Sequence, residues 1–230
     1  HDAPGSQIAG EAQFLAELRA ALPSRVVLYV EETPNDYTAQ FLDGSFTYGI
    51  AQSRNSLNEA RVNLTRFALP DVKLFEIIRC DVPLGDDFEA VRHVFFNGEG
   101  IWLEGPLSKP EWFPAKIRAL IARCHRILRA NREAFCSLDP VPLVPTLKPS
   151  IYANKFPGER ETVWTLFNAA NRPANGELLR IAHVPTATYF DAWNERPLSP
   201  RIEGRWAYLS LLLGPREVGC VVQRRAKVVQ

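Results

Sequence analysis

Val26-Val27-Leu28-Tyr29-Val30-Glu31-Glu32 is the stretch whose reading decides the fold. A continuous apolar run rich in β-branched residues suits a parallel strand buried on both faces. Here it ends in two adjacent carboxylates. Upstream, Phe14, Leu15, Leu18 and Leu22 fall at helical spacing, and Pro23-Ser24 ends that run. Downstream, Asp43-Gly44 is a turn signal before a second strand, Ser45-Phe46-Thr47-Tyr48-Gly49-Ile50. Ser56-Leu57-Asn58-Glu59 is a capping box, and the helix it opens carries Leu57, Ala60, Leu64 and Phe67 on one stripe until Pro70.

The alternation continues. Val72 to Cys80 reads as a third strand, Asp86-Asp87 starts a helix that Asn97-Gly98 ends, and Ile101-Trp102-Leu103 is a short fourth strand. Ser108-Lys109-Pro110-Glu111 repeats the capping pattern, with proline well placed just inside a helix start. That helix carries Phe113, Ile117, Leu120, Ile121, Cys124, Ile127 and Leu128 and runs to about Phe135. Strands alternating with helices predict parallel strands joined by helical crossovers, three or four such units before residue 137. A doubly wound sheet and half of a (β/α)8 barrel both fit that count.

From Ser137 to Pro149 the pattern breaks into a proline-rich stretch, Asp139-Pro140, Pro142, Pro145 and Pro149, which predicts a linker over 138–149. Beyond it the period changes. Ile151 to Asn154, Thr162 to Asn168, Leu178 to Ile181, Thr188 to Phe190, Trp206 to Leu211 and Val218 to Gln223 are short runs bounded by turn signals such as Pro157-Gly158 and Asn175-Gly176. Strands so spaced, with no helix between them, predict an antiparallel β-sandwich over 150–230.

Composition excludes more than it suggests. With 230 residues, 27 Lys+Arg against 26 Asp+Glu and a net charge of +1, nothing calls for nucleic acid or an acidic membrane. No apolar run approaches the ~18 residues that a membrane span needs. The four cysteines, Cys80, Cys124, Cys136 and Cys220, include no CxxC pair, so no metal cluster is evident, and Gly98, Gly100 and Gly105 form no nucleotide-binding loop. No cofactor is expected. The chain contains no Met and opens at His1-Asp2-Ala3-Pro4-Gly5, which reads as a piece of something longer. The compartment stays open, with a secreted or periplasmic full-length protein as one option.

Ligands of parallel βα architectures bind at the carboxyl ends of the strands. The polar residues there are Glu31 and Glu32, with Asp36 close behind, then Asp81 after the third strand and Glu104 after the fourth; Asp43 stands at the entrance to the second. Carboxylates converging on one mouth suit glycoside hydrolysis, in which one acid protonates the leaving oxygen and a second carboxylate attacks or activates water. Successive strand residues point to opposite faces, so only one of Glu31 and Glu32 can face a pocket. The basic residues of the long helix, Lys116, Arg118, Arg123, His125, Arg126, Arg129 and Arg132, read as a solvated outer face. Trp164, Trp193 and Trp206, with Tyr152, Tyr189 and Tyr208, could form a sugar-stacking platform but serve equally as sandwich core.

Val27-Leu28-Tyr29-Val30-Glu31-Glu32-Thr33, Phe41-Leu42-Asp43-Gly44 and Phe95-Phe96-Asn97-Gly98-Glu99-Gly100-Ile101-Trp102-Leu103 together resemble the late part of the barrel in a bacterial family of large glycoside-hydrolase-like proteins. The tail, from Ile151-Tyr152-Ala153-Asn154 to Val218-Gly219-Cys220-Val221, is similar to their C-terminal β-sandwich. The resemblance implies an α/β plus all-β chain, the C-terminal half of a (β/α)8 barrel followed by an antiparallel β-sandwich. It further implies a carbohydrate substrate, a barrel of the α-galactosidase and α-glucosidase type, and Glu31 or Glu32 as general acid/base. Asp36, Asp43, Asp81, Trp102 and Glu104 would contact substrate. The N-terminal half of the barrel, with one member of the catalytic pair, would lie elsewhere, leaving this chain inactive alone. Two other readings stand beside this one: a non-catalytic carbohydrate-binding protein with a degenerate barrel, and an inactive structural fragment.

Overall fold

The computed structural model describes residues 4–47, 62–78, 88–102 and 114–226. In chain order the α/β part holds α1 (Pro4–Ala21), β1 (Tyr29–Glu31), α2 (Asp36–Ala39), β2 (Gly44–Thr47), α3 (Leu64–Ala68), β3 (Lys73–Ile77), α4 (Phe88–Phe96), β4 (Gly100–Trp102), α5 (Ala115–Ala130) and α6 (Arg132–Phe135). The β part holds β5 (Ile151–Pro157), β6 (Glu161–Asn168), β7 (Ala174–Ala182), β8 (Thr188–Asp191), β9 (Arg196–Leu198), β10 (Arg201–Glu203), β11 (Trp206–Leu213) and β12 (Val218–Arg224).

The first four strands form one sheet in the order β1-β2-β3-β4. Every neighbouring pair is parallel, in the registers Glu31↔Phe46, Phe46↔Phe75 and Ile77↔Trp102. Parallel neighbours in sequence order require a crossover each time, which the helical segments supply. The paired part of the first strand starts later than the apolar run suggests: Val27 is 57% exposed, and only Tyr29 to Glu31 join the sheet. The expected burial on both faces is also absent there, because Tyr29 and Glu31 are exposed while Val30 is half-buried.

The two faces of this sheet differ. Val30, Ser45, Thr47, Leu74, Glu76 and Ile101 share the face turned toward the helices, and Tyr29, Glu31, Phe46, Phe75 and Trp102 share the other. On that second face Tyr29 stacks on Phe46 at 5.4 Å between centroids, and Phe46 meets Trp102 at 4.5 Å. Trp102 remains 42% exposed.

Behind the sheet, α4 and α5 form a helical layer. The α5 residues Ile117, Ile121, Cys124 and Ile127 recur at helical spacing and are buried. Asn131 then breaks the helix, its side-chain amide donating to the Ile127 carbonyl at 2.8 Å, so the long helix ends earlier than its apolar pattern does. Gly98 closes α4 in the left-handed region at φ 68°, where a glycine avoids the side-chain clash.

The β part has a five-stranded antiparallel sheet, β5-β6-β12-β8-β9, and a three-stranded one, β10-β11-β7. All eight residues of β6 are buried, because the strand lies between two layers. Val163 and Phe167 pack with Phe95, Phe96 and Phe135 of the helices, whereas Trp164 and Leu166 pack with Leu178, Leu209 and Leu211 of the three-stranded sheet. Phe95, Phe96, Phe156 and Phe167 are fully buried in the shared helix–sheet core. Truncating any such phenylalanine to Ala typically costs ~3–5 kcal/mol.

The proline-rich stretch is pinned between these layers. Val141 and Lys155 exchange both backbone hydrogen bonds at 2.8 Å, and the Leu147 amide donates to Leu178 at 3.0 Å. Asn175-Gly176, expected as a turn, lies inside β7, where Gly176 has φ 98° and the pairing with β11 shifts register nearby. The short strands β9 and β10 have no counterpart in the sequence reading.

Candidate active site

Parallel pairing sets one end of the first sheet apart: the carboxyl ends of β1 to β4, where Glu31, Thr47, Ile77 and Trp102 finish their strands. Glu31 is the last residue of β1 and the register partner of Phe46, so it belongs to the face that carries the aromatic rings. Glu32 follows in the left-handed region at φ 72°. Its amide donates to the Phe46 carbonyl at 2.8 Å and its carbonyl accepts the Ser45 hydroxyl. Those two bonds hold the turn that ends β1 and fix where Glu31 sits.

Asp36 opens α2 just beyond this turn and is exposed. Asn35 caps the same helix, accepting the Tyr37 and Thr38 amides at 3.0 Å each. Trp102 ends β4 on the face shared with Glu31, its exposed ring at the sheet edge. Glu31, Asp36 and Trp102 thus lie at one end of the sheet, with Phe46 between Glu31 and Trp102. Asp81 and Glu104 lie outside the described residues.

Asp43 does not join them. It precedes β2 at the amino end, where its carboxylate accepts the Leu28 amide at 2.8 Å and the Arg19 guanidinium at 2.5 Å. These partners, the Leu28 amide first, hold its carboxyl below the usual range. Arg19 also donates to the Phe41 and Val26 carbonyls, so this cluster ties α1 to the start of the sheet. The reason for the displacement is topological: the residue before a parallel strand is at the opposite end from the residue after it.

The structure adds a buried pair that the sequence reading passed over. Glu76 of β3 and Glu99, just before β4, are 0% and 1% exposed. Glu76 accepts the Thr47 hydroxyl at 2.6 Å. Both Glu99 oxygens are buried, and Asn63 is the neutral polar side chain that interacts with the carboxyl. Burial first, and the Glu76 carboxylate second, push the Glu99 carboxyl up to about 8, while Arg66 pulls it back. The pair lies under the helix-facing side of the sheet, away from Glu31. A lone acid between Gly98 and Gly100 was the only sequence signal for it.

Of the aromatic residues of the β part, Trp164, Tyr189 and Trp193 are buried in the core, whereas Tyr152, Trp206 and Tyr208 are half-buried. The Arg123 guanidinium covers the Trp193 ring at 4.4 Å. Trp206 has Arg180 and Arg205 against its ring at 4.6 and 4.9 Å. The helical basic stripe is only partly a solvated surface: Arg126 pairs with Glu195 at 2.6 Å, and the half-buried His125 accepts the Ile101 amide at 3.1 Å. Among the described residues no group of three or more potential ligands could hold a metal ion, and no helix is long and apolar enough to cross a membrane.

Solved structures align with nearly the whole chain. The α-amylase of Anoxybacillus superposes with a TM-score of 0.61 at 11% identity, over 96% of this chain and 57% of that one. The fold is glycoside-hydrolase-like. The α-amylase of Geobacillus thermoleovorans, solved in complex with acarbose, gives 0.61 at 13% identity over 96% and 58%. A candidate α-galactosidase of Bacteroides fragilis gives 0.60 at 9% over 95% and 52%. The chain therefore spans little more than half the length of each. No family model matches the sequence, and no curated protein matches it either.

Proposed function

We propose that this chain is the C-terminal part of a glycoside hydrolase. Residues 1–137 would form half of a (β/α)8 barrel, 138–149 the crossing segment and 150–230 a β-sandwich. The observation that carries the reading is the four-stranded parallel sheet in sequence order, with an unpaired aromatic face and Glu31 at the carboxyl end of that face. An N-terminal half-barrel is the partner that would cover this face and close the sheet. The glycoside-hydrolase-like fold supports a sugar substrate over other ligands of such barrels.

Glu31 is the general acid/base. It stands at the last position of its strand on the aromatic face, whereas Glu32 belongs to the turn that holds it. Trp102 offers a partly exposed ring at the same end, suited to stacking on the apolar face of a sugar. Asp36 stands at the rim as a hydrogen-bonding group for substrate hydroxyls. The second carboxylate of the pair comes from the half-barrel that precedes these strands.

Turnover of an aryl glycoside panel by the longer protein carrying this chain tests the reading. On the panel members with basic leaving groups, Glu31→Gln should lower kcat/KM by ~100-fold or more with the fold intact, as expected for loss of general acid catalysis, while Glu32→Gln stays within a few-fold. Full activity of Glu31→Gln would overturn the assignment.

A further inference from the structure

The amino end of the parallel sheet holds a second cleft, of about 420 Å³, at the opposite end of the strands from Glu31. That volume falls in the range of small-molecule sites. Its walls are apolar: Leu74 and Phe75 project to opposite faces of β3, so the cleft wraps the start of that strand, and Leu128 and Phe135 close it from the helical side. Its polar side is cationic. Arg66, Lys73, His125, Arg129 and Arg132 line it, and no carboxylate does among the described residues.

Arg66 is the buried member. It is 2% exposed, its guanidinium lies over the Phe156 ring at 5.3 Å, one Nη donates to the Phe135 carbonyl at 2.5 Å, and Nη1 has no hydrogen-bond partner among the described residues. A guanidinium left with an unused buried donor is costly unless something supplies an acceptor. Glu99 is its acidic neighbour, and burial raises that carboxyl and so weakens the charge it offers Arg66. Lys73 donates to the Pro70 carbonyl at 2.7 Å. His125 accepts the Ile101 amide on Nε2, so in its neutral form the proton sits on Nδ1 and can be donated. Arg129 and Arg132, both exposed, complete the cationic lining.

We propose that this cleft binds a compact phosphate monoester, its phosphoryl group among the cations and its apolar or ring-shaped body against Phe75 and Leu128. A tetrahedral dianion offers oxygens to several cations approaching from different directions, which a planar carboxylate with one charge does not. The apolar walls add a requirement for an organic body that inorganic phosphate lacks. The site does not depend on the glycosidase reading, because it uses the other end of the strands.

Calorimetric titration with phenyl phosphate, inorganic phosphate and benzoate tests it. Phenyl phosphate should bind at least about tenfold more tightly than either of the others, each factor of ten being ~1.4 kcal/mol. Combining Arg129→Gln with Arg132→Gln, both exposed and outside the core, should weaken phenyl phosphate by about tenfold or more. Arg201→Gln, on β10 in the outermost sheet, should leave binding unchanged. Absence of phenyl phosphate binding at millimolar concentration, equal affinity for benzoate, or an unaffected double variant would each overturn the proposal.

Discussion

Phe46 and Trp102 stand two strands apart in the parallel sheet, yet their rings meet above β3 with centroids 4.5 Å apart. Neighbouring strands lie ~4.8 Å apart, so in a flat sheet these backbones would be separated by nearly 10 Å. The two side chains therefore lean toward each other across the intervening strand. Tyr29 extends the row through Phe46, and Phe75 sits between, so one face carries four aromatic side chains. Among the described residues, the helices pack on the opposite face.

An aromatic sheet face without a covering layer should make the isolated 230-residue chain associate with itself. Light scattering should report dimers or larger species, and Trp102→Ser together with Tyr29→Ser should shift the population toward monomer. Both residues are already more than a third exposed, so the substitutions spare the core. A parent chain that stays a stable monomer at high concentration contradicts the unpaired-face account.

Glu99 makes stability fall as pH rises. Its folded pKa of about 8 lies above the unpaired carboxylate value of 4.5. Below that lower value both states are protonated. Between the two, the unfolded chain releases a proton that the folded chain keeps, so stability is lost across the window and levels off above it. Glu99→Gln removes the ionisation, and its advantage over the parent should grow from pH 5 to pH 8 to on the order of 4 kcal/mol. Urea unfolding at both ends of the window checks this; a difference that does not change with pH counts against it.

The β part and the helical layer should unfold together. Asn154, fully buried on β5, donates to the Phe96 carbonyl at 2.9 Å and accepts the Leu143 amide at 3.0 Å. Thr165 donates to the same Phe96 carbonyl at 2.5 Å. One side chain thus joins α4, the proline-rich segment and the five-stranded sheet. Asn154→Ala strands the Leu143 amide and should cost about 2–3 kcal/mol, with a single transition retained. Two separated transitions in thermal unfolding of the parent would mean that the two layers fold independently.

The sequence reading succeeded where burial imposes a pattern. The β6 run from Thr162 to Asn168 and the α5 stripe of Ile117, Ile121, Cys124 and Ile127 are legible because one is enclosed on both faces and the other on one. The strands β9 and β10 were invisible, since Arg196-Pro197-Leu198 and Arg201-Ile202-Glu203 lie at sheet edges and bury little. Asn175-Gly176 misled because the local irregularity that suits a turn also suits a strand with a shifted register. The places of Glu31 at the end of β1 and of Asp43 at the entrance to β2 are legible from the apolar runs beside them. The tie of Asp43 to Arg19 is not, because that partner lies 24 residues away. The burial of Glu99 and Arg66 depends on tertiary packing, for which no local spacing gives a signal.

The most direct test of the central claim is the leaving-group dependence of kcat/KM in the longer protein bearing Glu31→Gln. A general acid matters most when the departing oxygen is basic. The variant should lose at least about 100-fold on an alkyl glycoside while retaining most of its activity on a dinitrophenyl glycoside, whose leaving group needs no proton. An equal loss on both substrates, or no loss on either, would contradict Glu31 as the general acid.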